Sequence, residues 1–218
     1  AKFHSVSGSA AIGGGAFGAS VVVVNLNNNA TAYIAGTAHV EAGRDAGDDI
    51  LVRANFEDDV YGLVIAGQLS SGVSLGAQVV VFNDTSQQLA YIGNNATIKR
   101  AGGTVTVEAK ADRDLEAWAT GGGLSLGGSA GASVAIVNAS GSTKAHVQSA
   151  DIGTIQPNNP VDNLAVKAES IADVQARTIA VAGGIGFALS GAIAIANYNP
   201  TVEAEVMDSA NIITTGNV

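Results

Sequence analysis

"ASVVVVN" occupies residues 19–25, and the phrase returns as "AQVVVFN" (77–83), "ASVAIVN" (132–138) and "GAIAIAN" (191–197). With the closing asparagines Asn25, Asn83, Asn138 and Asn197 as anchors, the spacings are 58, 55 and 59 residues. Seven residues after each anchor stands an alanine (Ala32, Ala90, Ala145, Ala204), and two further on comes Ile34, Ile92, Val147 or Val206. A second Ala-x-β-branched unit follows at Ala38/Val40, Ala96/Ile98, Ala150/Ile152 and Ala210/Ile212. Then come "ILVRA" (50–54), "VTVEA" (105–109) and "LAVKA" (164–168), each followed five residues later by Asp59, Asp114 or Asp173. Those aspartates precede the next anchor by 24 residues every time. The chain therefore reads as a single array of approximate repeats 1–58, 59–113, 114–172 and 173–218, and as an excerpt of something longer.

Alternation within the repeat predicts strands. In the "ILVRA" block the first, third and fifth positions are always apolar, while the fourth is Arg53, Glu108 or Lys167. Period two of this kind is a strand with one wet face. The Ala-x-Ile units behave alike, with Tyr33, Tyr91, His146 and Glu205 sharing one outward slot. In the opening phrase the positions four and two before the anchor are strictly β-branched, from Val21/Val23 to Ile193/Ile195. Their neighbours are small or apolar too, so both faces of this strand are expected to be covered. Inward positions should be fixed across repeats and outward ones should drift. Length varies in "EAGRDAGDD" (41–49), "KRAGG" (99–103) and "GTIQPNNPVDN" (153–163), stretches that read as surface loops.

Short strands, small inward residues and a regular period predict an all-β fold, a parallel β-solenoid (β-helix-like) of about four ~57-residue repeats. A coil of such a fold takes ~20–25 residues, which predicts two or three coils per repeat. The rival is a β-sandwich or barrel built of hairpins. Glycine-rich stretches such as "GGGAFG" precede each phrase, and Gly18, Gly76 and Gly131 stand seven before their anchors. They lack a phosphate-loop lysine and read instead as sites of close backbone approach or sharp bends.

The succession of a Gly/Ala-rich strand, "SVxVxN", "TxAYI", "xxAxV" and "xVxVxA" resembles the repeat of filamentous leukotoxin- and haemagglutinin-type adhesins of Gram-negative bacteria. "GASVVVVNLNNNATAYIAGTAHV" (18–40) and "SIADVQARTIAVAGG" (170–184) carry it best. The resemblance spans essentially the whole chain. It implies long exported or surface-anchored β-helical filaments that adhere to hosts, surfaces or one another. The terminal secretion and anchoring segments of such adhesins are absent from these residues, so export and attachment rest on the resemblance.

Composition bounds the chemistry. Charged residues are 13% and aromatics 5%, against 47% hydrophobic residues and 28 glycines. Cysteine is absent, which removes disulfide and thiol chemistry. A net charge of -9 argues against nucleic-acid partners, whose phosphates require a basic face. No apolar run is long enough for a membrane-spanning helix, and membrane insertion by this segment is not expected. The histidines His4, His39 and His146 carry no motif that ties them to a serine or carboxylate, so no catalytic residues and no enzyme are expected. "FEDD" (56–59) and "DRD" (112–114) stand at matching places and read as turn caps and solubilising charges, although β-helix polysaccharide enzymes use acidic clusters. The candidate metal is calcium, with Asp45, Asp48, Asp49, Asp58 and Asp59 as candidate ligands, but neither a calcium-roll nonapeptide nor an EF-hand loop occurs. No cofactor is expected otherwise.

The anchor asparagines admit three roles. They read first as structural turn residues, because asparagine tolerates the left-handed region. A stacked polar ladder is the second role, and glycan acceptance the third, since Asn83 and Asn138 begin sequons, as do Asn29 and Asn95. Asn25 and Asn197 do not, so glycosylation leaves the anchor unexplained. The sequence thus predicts a secreted or cell-surface stalk with a possible contact surface, whose partner is a host-surface or carbohydrate ligand. The alternative is a subunit of an extracellular filament or biofilm matrix that self-associates end to end. A carbohydrate-active β-helix enzyme is the remote third reading.

Overall fold

The computed structural model describes residues 2–93, 95–153, 161–207 and 209–218, and in them the chain is all-β with parallel sheets. In chain order the strands are β1 (Lys2–Leu26), β2 (Asn29–Ile34), β3 (His39–Glu41), β4 (Ile50–Asp84), β5 (Gln87–Gly93), β6 (Thr97–Ser125) and β7 (Gly128–Ala139). They continue as β8 (Ser142–Gln148), β9 (Asp151–Ile152), β10 (Val161–Gly184), β11 (Phe187–Tyr198), β12 (Thr201–Met207) and β13 (Asn211–Ile212). Strands β2, β5, β8 and β12 form one sheet and the other nine a second.

Pairing follows the sequence repeat residue by residue. Asn25 pairs with Asn83, Asn83 with Asn138 and Asn138 with Asn197. Asp59 pairs with Asp114, and Asp114 with Asp173. Tyr33 pairs with Tyr91, and His39 with Thr97. Because equivalent residues of adjacent repeats are direct neighbours, one repeat makes one full return of the chain. The expectation of two or three coils per repeat is corrected here. The same three alignments satisfy a short coil or a long one, and only the pairing separates them.

Within a repeat the long strand doubles back on itself. Gly62 lies against Val80 and Phe82, and Gly76 against Gln68. The chain therefore arches near Gly72, bringing the second half of β4 over the first. The first repeat arches at Gly13–Gly15, where the register shifts. A Cβ on Gly76 would come within 2.2 Å of Gln68 Oε1, which is the close approach its glycine serves. The stretch "KRAGG" is continuous strand within β6 rather than a surface loop, and Gly102 packs under the backbone of Arg44 and Asp45. The loop reading holds for the first repeat after β3, while residues 154–160 of the third stretch lie outside those described.

Two apolar cores fill the interior. The first joins Ile50, Val52 and Ala54 to Ala90, Ile92, Ala96 and Ile98 and their repeat equivalents, as the alternation predicts. The second lies inside the arch, with Val60, Val64, Val80, Phe82, Leu115 and Val137. Between them sits a buried polar cluster. Arg113 donates from Nε to Asp84 Oδ2 at 2.7 Å, from Nη1 to Ser170 Oγ at 3.0 Å, and from Nη2 to Gln88 Oε1 at 3.0 Å and the Ser86 carbonyl at 3.3 Å. Both members of the Arg113–Asp84 ion pair have fully buried side chains. Asp58, paired in register with Arg113, is also buried, and desolvation raises its pKa.

Candidate functional site

The opening phrase places its side chains opposite to expectation. Val22 and Val24 point into the arch, whereas Val21 and Val23 are 60% and 56% exposed. The strictly β-branched positions face outward in every repeat, and the inward ones drift from Val80 and Phe82 to Ala135 and Val137. An apolar strand with no alternation gives no clue to its own orientation. The expected cover on its second face is not seen. Instead, in-register pairing stacks the outward residues into columns: Val21/Val79/Val134/Ile193 forms a ridge, and Ala19/Ala77/Ala132/Gly191 forms the floor of a groove. Phe17, Leu75 and Leu189 wall its far side, and the open groove holds about 660 Å³.

No charge interrupts this region. All 10 basic and 19 acidic residues fall outside residues 5–26, 62–83, 117–143 and 178–202, the four versions of the arch. Its interior near the bend is lined by Ser70, Ser74, Gln68 and Gln78, all buried. The arch thus turns small polar groups inward and aliphatic groups outward, the reverse of the usual distribution.

Asparagines border the face. Each anchor is the penultimate residue of its strand, and none has positive φ. Asn83 Nδ2 donates to Asn25 Oδ1 at 2.9 Å, Asn138 to Asn83 at 3.0 Å and Asn197 to Asn138 at 2.8 Å. Of the three roles open to them, the amide ladder is the one their hydrogen bonds display. It engages the Nδ2 atoms of Asn83 and Asn138 that a glycan would need.

Two further columns run along other faces. Tyr33, Tyr91 and His146 stack with ring centroids 5.3 Å apart at each step and interplanar angles of 12° and 20°. Their faces cover one another, so only ring edges meet solvent. Burial lowers the His146 pKa, against the pull of Glu205. Asp59, Asp114 and Asp173 form an outward carboxylate column. Partial desolvation and the flanking Asp173 and Asp59 raise the pKa of Asp114. In the first repeat Lys2 meets this column, with Nζ 3.3 Å from Asp59 Oδ2, and His4 Nε2 lies 3.6 Å from Asp59 Oδ1.

The calcium candidates do not converge. Asp58 points inward and its neighbour Asp59 outward, because adjacent residues of a strand face opposite sides. Asp48 Oδ2 accepts from the Asp45 amide at 2.8 Å, and Asp49 Oδ1 from the Thr104 amide at 2.6 Å, so both serve the loop itself. Among the described residues no three His, Cys, Asp or Glu side chains are grouped to hold a metal ion. "FEDD" and "DRD" lie in mid-strand rather than at turns, which corrects their reading as turn caps. Arg113 and Asp84 were not anticipated. The signal was the parity of "AKADRDLEA", which sets Arg113 in line with Ala109, Ala111 and Leu115.

The chain has no match among protein-family models, curated proteins or solved structures. Among the described residues no helix is long and apolar enough to cross a membrane.

Proposed function

We propose that the chain is a segment of a parallel β-solenoid of four ~57-residue repeats, serving as the stalk and contact surface of a large secreted or surface-exposed bacterial adhesin. The observation that carries the reading is the in-register parallel pairing of each repeat with the next, at offsets of 58, 55 and 59 residues. Stacking of this kind can continue indefinitely, since every rung offers the next one the same hydrogen-bonding edge. Its job is mechanical, to hold a binding surface away from the cell, and the ligand class is a host-surface group or carbohydrate. No catalysis is assigned to it. The repeat pattern quoted above for filamentous adhesins points the same way.

One observation favours a second reading, a self-assembling filament or matrix subunit. Strands of the first and last repeats leave open parallel edges, which can pair end to end with further copies. Antibodies raised against the 218-residue chain separate the outcomes when applied to intact producing cells. The stalk reading expects surface labelling that external protease removes together with adherence. Labelling confined to permeabilised cells overturns both readings. Release of fibres bearing the epitope, with adherence unchanged, favours the subunit.

A further inference from the structure

The outer face of the arch combines three properties that core packing does not demand: it is apolar, it is free of charge, and it is the most uniform part of the repeat. Side-chain uniformity on a solvent-facing strand implies a partner that contacts every rung alike. We propose that this partner is a second copy of the same chain, packed face to face about a two-fold axis parallel to the stacking direction.

Shape selects the occupant. The β-branched ridge stands beside the alanine–glycine groove at one side-chain spacing. A two-fold axis midway between them lays the ridge of each copy in the groove of the other, so the contact is self-complementary. An axis in that direction also keeps rungs level, and both copies step by the same ~4.8 Å repeat. A partner lacking that period would lose register after one or two rungs. Small residues in the groove permit the ~10 Å separation at which sheets pack. A lipid surface would need neither the groove nor the period.

Area and charge agree. Four rungs by the ten-residue span from Val73 to Asn83 cover about 19 by 33 Å, or roughly 600 Å² on each copy before side-chain relief. That approaches the ~800 Å² per partner of a standard stable interface. The net charge of -9 lies away from the face, so association buries no ionised group. This pairing does not depend on the adhesin reading, because it needs only the folded chain.

Analytical ultracentrifugation of the full chain, up to about 0.1 mM, provides the test. The expected result is a reversible dimer of the 21.6 kDa chain that Val79→Glu/Val134→Glu weakens at least ~100-fold without changing the melting curve. End-to-end pairing through open edges would be indifferent to those charges. Should the double variant misfold, Ala77→Cys decides instead: the chain has no native cysteine, so oxidation must trap a disulfide dimer, while Arg53→Cys outside the face must not. A wild-type chain that stays monomeric overturns the proposal, as does association that survives the face charges. So does binding to phosphatidylcholine vesicles that the glutamates abolish while the oligomeric state stays unchanged.

Discussion

Arg113 is the residue on which the interior polar cluster turns, since it carries the buried positive charge that offsets Asp84. Arg113→Met should destabilise the fold by about 3–5 kcal/mol, because a carboxylate is left buried without its partner. Adding Asp84→Asn removes that charge yet keeps an acceptor for the Ser86 amide, and should recover at least about half of the loss. Urea unfolding of the two variants measures both effects. Asp114 acts in the opposite sense. Its pKa is raised in the fold, so its stabilising contribution is complete below the unfolded value of ~3.9 and disappears as pH rises through the folded one. Asp114→Asn should therefore raise Tm by about 1–3 °C at neutral pH and change it little near pH 3, as read by thermal melts against wild type.

At the scale of the element, the arch shows volume exchanged between its two limbs. Where the second repeat places Phe82 on one limb it places Gly62 on the other, and a Cβ there would lie 2.5 Å from the Phe82 ring. The third repeat has Val137 at the phenylalanine position and Ala117 at the glycine position. Gly62→Ala should cost about 1–3 kcal/mol through overpacking, and Phe82→Val about as much through the cavity it leaves. Combined, they reproduce the third repeat's pairing and should cost clearly less than their sum in denaturant melts. This coupling could not be read from sequence, because it depends on where the chain turns back. Strands with one wet face were legible: Ile50, Val52 and Ala54 and the Ala-x-Ile units lie buried as their alternation demands. "ASVVVVN" was legible as a strand but not as an oriented one, since both of its faces are apolar. Asp58 and Arg113 sit at inward parity, yet their charge argued for water, and only a partner such as Asp84 from a distant strand lets Arg113 stay inside.

For the whole molecule the repeat spacing revealed the array, while the length of one return needed the pairing register. Each return uses 55 to 59 residues and advances the stack by about 4.8 Å. Duplicating residues 59–113 in frame should lengthen the particle by one such step while its cross-section stays constant, and small-angle X-ray scattering would register the change in the longest dimension alone. A duplicated segment that broadens the cross-section or scatters as an unfolded chain would show that repeats do not stack independently.

The long wall of the return has a consequence for flexing. From Ile50 to Ser70 it runs about 65 Å along the strand, against a thickness of about 20 Å for two packed sheets and their outer side chains. An array continued by the same pairing would be a tape rather than a rod. For a beam of that section, stiffness edgewise exceeds stiffness flatwise by the square of the width-to-thickness ratio, about tenfold. Such a tape drapes over curved surfaces in one direction and holds its line in the other, and it offers its broad side to whatever it drapes upon.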